Sequence, residues 1–268
     1  MDAPPTRKPR DTGPHELRDF GPTGHRLGTP DDCYDGSPWE LHRGELREQI
    51  RAKDTHGIVM ALLAALFRTH ARLGITVMAD VYCDLSDATS KSIRAPDVMV
   101  VRDLLTPKND IYSGTPVLAV EIRGTQSKPY LREKVELYLE HGWLCTWIVH
   151  VEREEVEVIV PGAGSVVYTV SGAPVPLPED LNVHGLTALP VAAFFQASEA
   201  RRYNDDWVAG RSAAQSVMTV LVARGFEINK PTQDRILESR DLTDLQRWLA
   251  MAATAPSIEA FVSGVGQG

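Results

Sequence analysis

Pro96-Asp97-Val98-Met99-Val100-Val101, followed by Val117-Leu118-Ala119-Val120-Glu121-Ile122-Arg123, is the stretch on which the fold of this chain turns. Both segments are short apolar runs rich in β-branched residues, the composition of a buried strand. Each carries one carboxylate near an end. Strand side chains alternate between faces, so Val117, Ala119, Glu121 and Arg123 share a face, and Asp97 and Met99 share a face of their own strand. If the two strands pair, Asp97 and Glu121 converge on one point. Two carboxylates and a main-chain carbonyl, here that of Ile122, suit Mg2+ or Mn2+, hard cations that bind oxygen and retain waters. Such an ion activates water and offsets charge on a scissile phosphate.

The next element supplies a cation. Pro129 opens a helix that runs to about His141 and closes at Gly142. Leu131, Val135, Tyr138 and Leu139 form its apolar stripe, with Arg132, Glu133, Glu136 and Glu140 opposite. Lys134 falls on the edge of that stripe. A buried lysine needs a partner, and carboxylates at the end of the sheet supply one. Tyr138 lies four residues on, so the two are neighbours, with the tyrosine in the core and its hydroxyl toward the site.

Working outward, Trp39–Leu46 reads as a strand-turn-strand around Arg43-Gly44. From His56, the spacing of Ile58, Met60, Leu62, Leu63, Leu66 and Phe67 predicts a core helix that ends near Gly74. Ile75–Val81, Trp143–Val151, Val156–Val160 and Val166–Val170 read as further strands, the last three as an antiparallel edge, while Thr106–Thr115 is a polar loop. Past Pro190, Val191–Glu199, Trp207–Ala223, Gln233–Ser239 and Asp241–Ala253 have helical patterns, with Asp241 as a cap. The expected architecture is α/β, a mixed central sheet flanked by helices over residues 36–199. A flexible lead-in precedes it at residues 1–35, and a helical appendage follows at residues 200–268.

Composition narrows the function. A net charge of -8 argues against a protein that coats nucleic acid through phosphate neutralisation, but not against a local basic groove. No run of roughly 18 apolar residues marks a membrane span. The N-terminal Arg7, Lys8 and Arg10 lack the apolar stretch of a secretory signal. Cys33, Cys83 and Cys145 are odd in number and widely spaced, which fits a reducing cytoplasm better than a disulfide framework or zinc knuckle.

The joint order of these features resembles the Uma family of restriction-endonuclease-like proteins, within the PD-(D/E)XK nuclease superfamily. The resemblance rests on Trp39-Glu40-Leu41-His42-Arg43-Gly44-Glu45-Leu46, His56 opening a long helix, Pro96-Asp97, Val120-Glu121 and Lys134-Val135-Glu136-Leu137-Tyr138. Gly142, Thr146-Trp147-Ile148-Val149 and Leu189-Pro190-Val191-Ala192-Ala193-Phe194-Phe195 complete it, so that it covers about residues 38–195. It implies a Mg2+- or Mn2+-dependent endonuclease acting on DNA, with Asp97 and Glu121 as metal ligands and Lys134 as the catalytic lysine, moved onto the helix. Glu45 and His56 match other recurrent positions and enter as accessory residues, beside Tyr138 and a substrate contact at Gln126. Two departures stand out: Arg123 occupies the usual lysine position, and Arg123-Gly124-Thr125-Gln126-Ser127 replaces a Ser-Pro-rich turn.

Each residue also has a plainer role. Arg123 is either a bidentate phosphate clamp or a structural partner of Glu121 or Asp97. His56 reads equally as a helix cap or packing residue, His141 and His150 as structural, and Glu152–Glu157 as a solvated hairpin. The whole-chain alternative is a catalytically inactive nuclease-like fold kept for DNA or protein binding. The C-terminal Leu221-Val222-Ala223-Arg224-Gly225-Phe226 and the helices after it are similar to tails on transposase-associated nuclease-like proteins. They suit packing or homodimer formation, two-fold dimers being the commonest assembly.

Overall fold

The structure, a computed structural model, describes residues 20–49, 54–70, 74–102, 111–124, 127–181 and 187–265. The expectations placed on Gln126, on residues 1–19 and on residues 106–110 lie outside the described residues. In chain order, β1 (Trp39–His42) and β2 (Glu45–Glu48) are followed by α1 (Asp54–His70), β3 (Ile75–Ala79), β4 (Cys83–Asp84), β5 (Ile93–Arg94), β6 (Val98–Arg102) and β7 (Leu118–Arg123). Next come α2 (Lys128–Glu140), β8 (Thr146–His150), β9 (Glu155–Val160), β10 (Gly164–Thr169), β11 (Val175–Pro176) and β12 (Ala188–Leu189). Helices α3 (Ala192–Phe195), α4 (Ala197–Ala223), α5 (Lys230–Glu238), α6 (Leu242–Thr254) and α7 (Ile258–Val265) complete the order.

These elements form two units: Met1–Ile50 with Val81–Ala95 and Thr106–Ser113, and the remainder of the chain. In the first, an antiparallel sheet has the order β2-β1-β5-β4. The β1–β2 hairpin turns through Arg43 and Gly44, both at positive φ, the geometry whose twist matches paired strands. Leu41, Leu46, Tyr82 and Ile93 form its core. Within it, the buried Glu40 carboxylate accepts from Arg94 Nη1 at 2.9 Å and from the Ala95 amide at 2.9 Å. The part of the expected lead-in that is described is bonded into this unit, through bridges Phe20–Arg26 and Leu27–Glu45.

The second unit is built on a six-stranded sheet of order β10-β9-β8-β7-β6-β3. Only β7 and β8 run parallel. A parallel step needs a crossover, which α2 supplies. Ser127 caps α2 by accepting from the Tyr130 amide, and Gly142, at φ 74°, follows its end. One face of the sheet presents Val98, Val100, Leu118, Val120, Ile122, Trp147 and Val149 to a core shared with Val59, Leu63, Leu66 and Phe67 of α1. Opposite, Ile148 and Ile159 pack with Leu131 and Val135 of α2. This is the expected mixed sheet with helices on both faces.

Helix α4 runs unbroken where the sequence suggested two segments. The polar run Arg201-Arg202, Asn204-Asp205-Asp206 interrupts the apolar pattern without ending the helix, because Ala200 and Trp207 still reach the sheet core. Its second half joins α5, α6 and α7 in a separate core of Ala214, Val217, Leu221, Ile236, Leu245, Trp248 and Phe261. Asp241 caps α6 as expected, accepting from the Thr243 and Asp244 amides. No helix among the described residues is long and apolar enough to cross a membrane.

Candidate metal centre

Strand register brings the two carboxylates to one place. β6 and β7 pair with Val98 opposite Val120, so one step outward sets Asp97 opposite Glu121. Opposed residues of an antiparallel pair project on the same side of the sheet. The Ile122 amide, one residue beyond Glu121, donates to Asp97 Oδ2 at 2.5 Å and ties the start of β6 to β7.

Glu121 is 1% exposed, and its two oxygens have separate partners. The Tyr138 hydroxyl donates to Oε1 at 2.6 Å, and Lys134 Nζ lies 2.9 Å from Oε2. Both partners come from adjacent turns of α2, whose pitch places residues four apart on one face. Behind Tyr138 the Trp143 ring is stacked, 4.1 Å between centroids and 7° from parallel, a contact the sequence did not reveal. The cation for the buried carboxylate is thus Lys134, as its place on the helix suggested.

His56, in the first turn of α1, sets Nε2 2.9 Å from Asp97 Oδ1. Burial works to lower its pKa, but the hydrogen bond and charge of Asp97, with the charge of Glu121, outweigh this and raise it above the ordinary histidine value. One imidazole therefore senses both carboxylates. Arg123 ends β7 opposite His150 of β8 and makes no hydrogen bond or ion pair among the described residues. It shares the strand face with Glu121 without bonding to it.

Glu45 belongs to the first unit. There it accepts from the Thr23 amide at 2.9 Å and from Arg47 Nη1 at 3.0 Å. Burial raises its pKa, yet the bonds from Thr23 and the charge and bond of Arg47 bring it below the usual carboxylate value. The Glu152–Glu157 run is not wholly solvated. Glu157 is buried, 2.8 Å from Arg132 Nη2 and 3.5 Å from His150 Nε2, because alternation turns it inward beneath α2.

Among the described residues no group of three His, Cys, Asp or Glu side chains is placed to hold a metal. The available donors are the Asp97 and Glu121 carboxylates and the Ile122 carbonyl. Their chemistry, all oxygen and two of the three anionic, fits a hard divalent cation that keeps part of its water shell.

Fold and site together define a restriction-endonuclease-like α/β protein. Residues 32–192 match the Uma2 family, described as "Putative restriction endonuclease", and the chain belongs to that family. The match spans Asp97, Glu121 and Lys134 and ends before α4. Among solved structures the chain is similar to one described as "a putative nuclease belonging to DUF820" from Anabaena variabilis, with a TM-score of 0.51 and 16% identity over 59% of this chain and 89% of that one. At this identity the likeness shows the fold. No curated protein matches the sequence.

Proposed function

We propose that this chain is a metal-dependent endonuclease that hydrolyses phosphodiester bonds in DNA. The observation that carries the reading is the buried Glu121, held by Lys134 and Tyr138, in register with Asp97 on the adjacent strand. Asp97, Glu121 and the Ile122 carbonyl would hold Mg2+ or Mn2+. That ion would supply Lewis acidity and a water of lowered pKa. The chain's own residues do the positioning. Tyr138 and Lys134 fix the two oxygens of Glu121, while the Ile122 amide and His56 fix those of Asp97. Lys134 orients the attacking water or adds positive charge where the phosphoryl group becomes more negative. Arg123 serves as a clamp on phosphate and not as a base, its guanidinium offering a bidentate fork to phosphate oxygens.

Calorimetric titration with Mg2+ and Mn2+, alongside plasmid nicking, tests this reading. Binding at millimolar metal or tighter, with nicking lost in Asp97→Ala, is expected. A folded protein that takes up neither ion and nicks nothing overturns it. Arg123 in the lysine position favours the second reading, an inactive fold retained for DNA or protein binding. DNA or partner binding unchanged in Asp97→Ala and Glu121→Ala, with no cleavage under any metal, would establish it. The first reading extends to a cytoplasmic enzyme and to a homodimer formed through the C-terminal helices, the latter tested by sedimentation of the full chain.

A further inference from the structure

We propose that the cleft at the C-terminal ends of β7 and β8 is a phosphate subsite, in which Arg123, Arg153 and His150 hold a backbone phosphate of the nucleic-acid strand. This deepens the nuclease reading and rests on it for the identity of the strand. The cleft has a volume of about 200 Å3 and is lined by Arg123, Gly124, His150, Val151, Glu152 and Arg153. That is below the ~300 Å3 at which drug-sized pockets begin, and suits one small group.

Register explains why the cations meet. β7 and β8 are parallel with Arg123 opposite His150, so both side chains project on the face that carries Glu121. Arg123 has no partner among the described residues. Arg153, in the single 3-10 turn after β8, gives only its Nε to Glu155, at 3.1 Å, leaving the terminal nitrogens of the fork for two oxygens of a phosphate.

His150 carries the independent signal. It is 7% exposed, and while Nε2 faces Glu157 at 3.5 Å, its buried Nδ1 has no hydrogen-bond partner. Buried polar atoms are ordinarily satisfied, and this unsatisfied one belongs to a ring that lines the cleft. Burial and the positive charges of Arg153 and Arg123 hold this ring below the ordinary histidine pKa, although Glu157 pulls the other way. Both guanidinium charges therefore reach the imidazole. A phosphate between the two guanidinium groups reverses that field and favours the protonated ring, whose Nε2 faces Glu157 at 3.5 Å.

The carboxylates nearby do not cancel the site. Glu155 is paired with Arg153, Glu157 is paired with Arg132 of α2, and Glu152 is exposed to solvent screening. Arg123 is two residues beyond Glu121 on one strand face, ~6.6 Å along the strand. A phosphate in the cleft is accordingly a close neighbour of the one at the carboxylates.

The test is binding in EDTA, which needs neither metal nor cleavage. The probes are inorganic phosphate by calorimetry, and short labelled single-stranded deoxyoligonucleotides, with and without a 5′-phosphate, by anisotropy over a salt series. Arg123→Ala and Arg153→Ala are each expected to weaken oligonucleotide binding about tenfold and to reduce the salt slope by about one. Phosphate should move the His150 ring resonances toward imidazolium in wild type and not in the double variant. Tighter binding of the 5′-phosphorylated strand assigns the cleft to a terminal phosphate, and equal binding to an internal phosphodiester. Wild-type affinity and slope in both arginine variants, with circular dichroism unchanged, overturn the subsite, as does absence of binding by the wild type at millimolar phosphate. A wild type that binds as described yet never cleaves with any metal overturns the endonuclease reading and leaves the subsite standing. Cleavage with no arginine effect does the converse.

Discussion

At its first turn α1 sets His56 against Asp97, and at its last turn it sets His70 between the rings of Tyr203 and Trp207, with Nε2 3.0 Å from Asn204 Oδ1. Both imidazoles are buried, and their pKa values move in opposite directions. For His56, two carboxylates outweigh burial and favour the cation. For His70, burial dominates, the Arg240 charge adds to it against the Asn204 bond, and the pKa falls to about 4. The same residue on the same helix becomes part of an electrostatic site at one end and of an apolar joint to α4 at the other. The surroundings supplied by β6, β7 and α4 decide the chemistry, and the helix decides only the spacing.

The comparison is broken most severely at the carboxylate end. Glu121→Ala takes from the buried Lys134 the carboxylate that lies 2.9 Å from its Nζ, and a loss of about 3–5 kcal/mol of stability is expected by urea denaturation, with cleavage abolished. Asp97 is less enclosed, so Asp97→Ala should keep the fold by circular dichroism while lowering plasmid cleavage about a thousandfold, some 4 kcal/mol of transition-state stabilisation. At the other end the measurable quantity is pH dependence. His70 has a folded pKa below its unfolded value of ~6.5, so its contribution is complete above that pH and is lost as pH falls toward 4. The wild type should lose about 3 kcal/mol more than His70→Gln between neutrality and pH 4, read as the difference between two urea series. His56 has the reverse sign: its contribution is present below the unfolded pKa and fades as pH rises through the folded one. The smallest effect is expected for Tyr138→Phe, which removes one hydrogen bond to Glu121. A cost of about 1–2 kcal/mol, with weaker Mn2+ uptake by calorimetry, would place the hydroxyl among the groups that hold the site.

The strands that set the site were legible because β-branched runs alternate cleanly, and Asp97 and Glu121 each fall on a definable face. Lys134 was legible for a different reason: a cation on an apolar stripe is costly without a partner, and only the sheet end offered one. What escaped notice depends on contacts between segments remote in sequence. Strands β4 and β5 are two residues long and carry no periodicity. Glu157 sits in an acidic run that reads as solvated, and only the approach of Arg132 from α2 and His150 from β8 shows it to be inward. His150 likewise gave no signal, having no metal-ligand spacing, because its neighbours Arg123 and Arg153 come from different elements. Helix α7 was missed too, its eight residues Ile258–Val265 being too short for the apolar pattern to stand out. Trp143 lay just past a helix stop and read as the start of a strand, although its ring lies flat on Tyr138.

That flat ring gives the protein a built-in optical reporter. Indole emission responds to its immediate surroundings, and Trp143 is one aromatic layer from the hydroxyl that holds Glu121. Any event that draws the carboxylate away from Tyr138 perturbs the stack, so occupancy can be followed by fluorescence in unlabelled protein. The Trp143→Phe variant identifies which of the five indoles carries the signal.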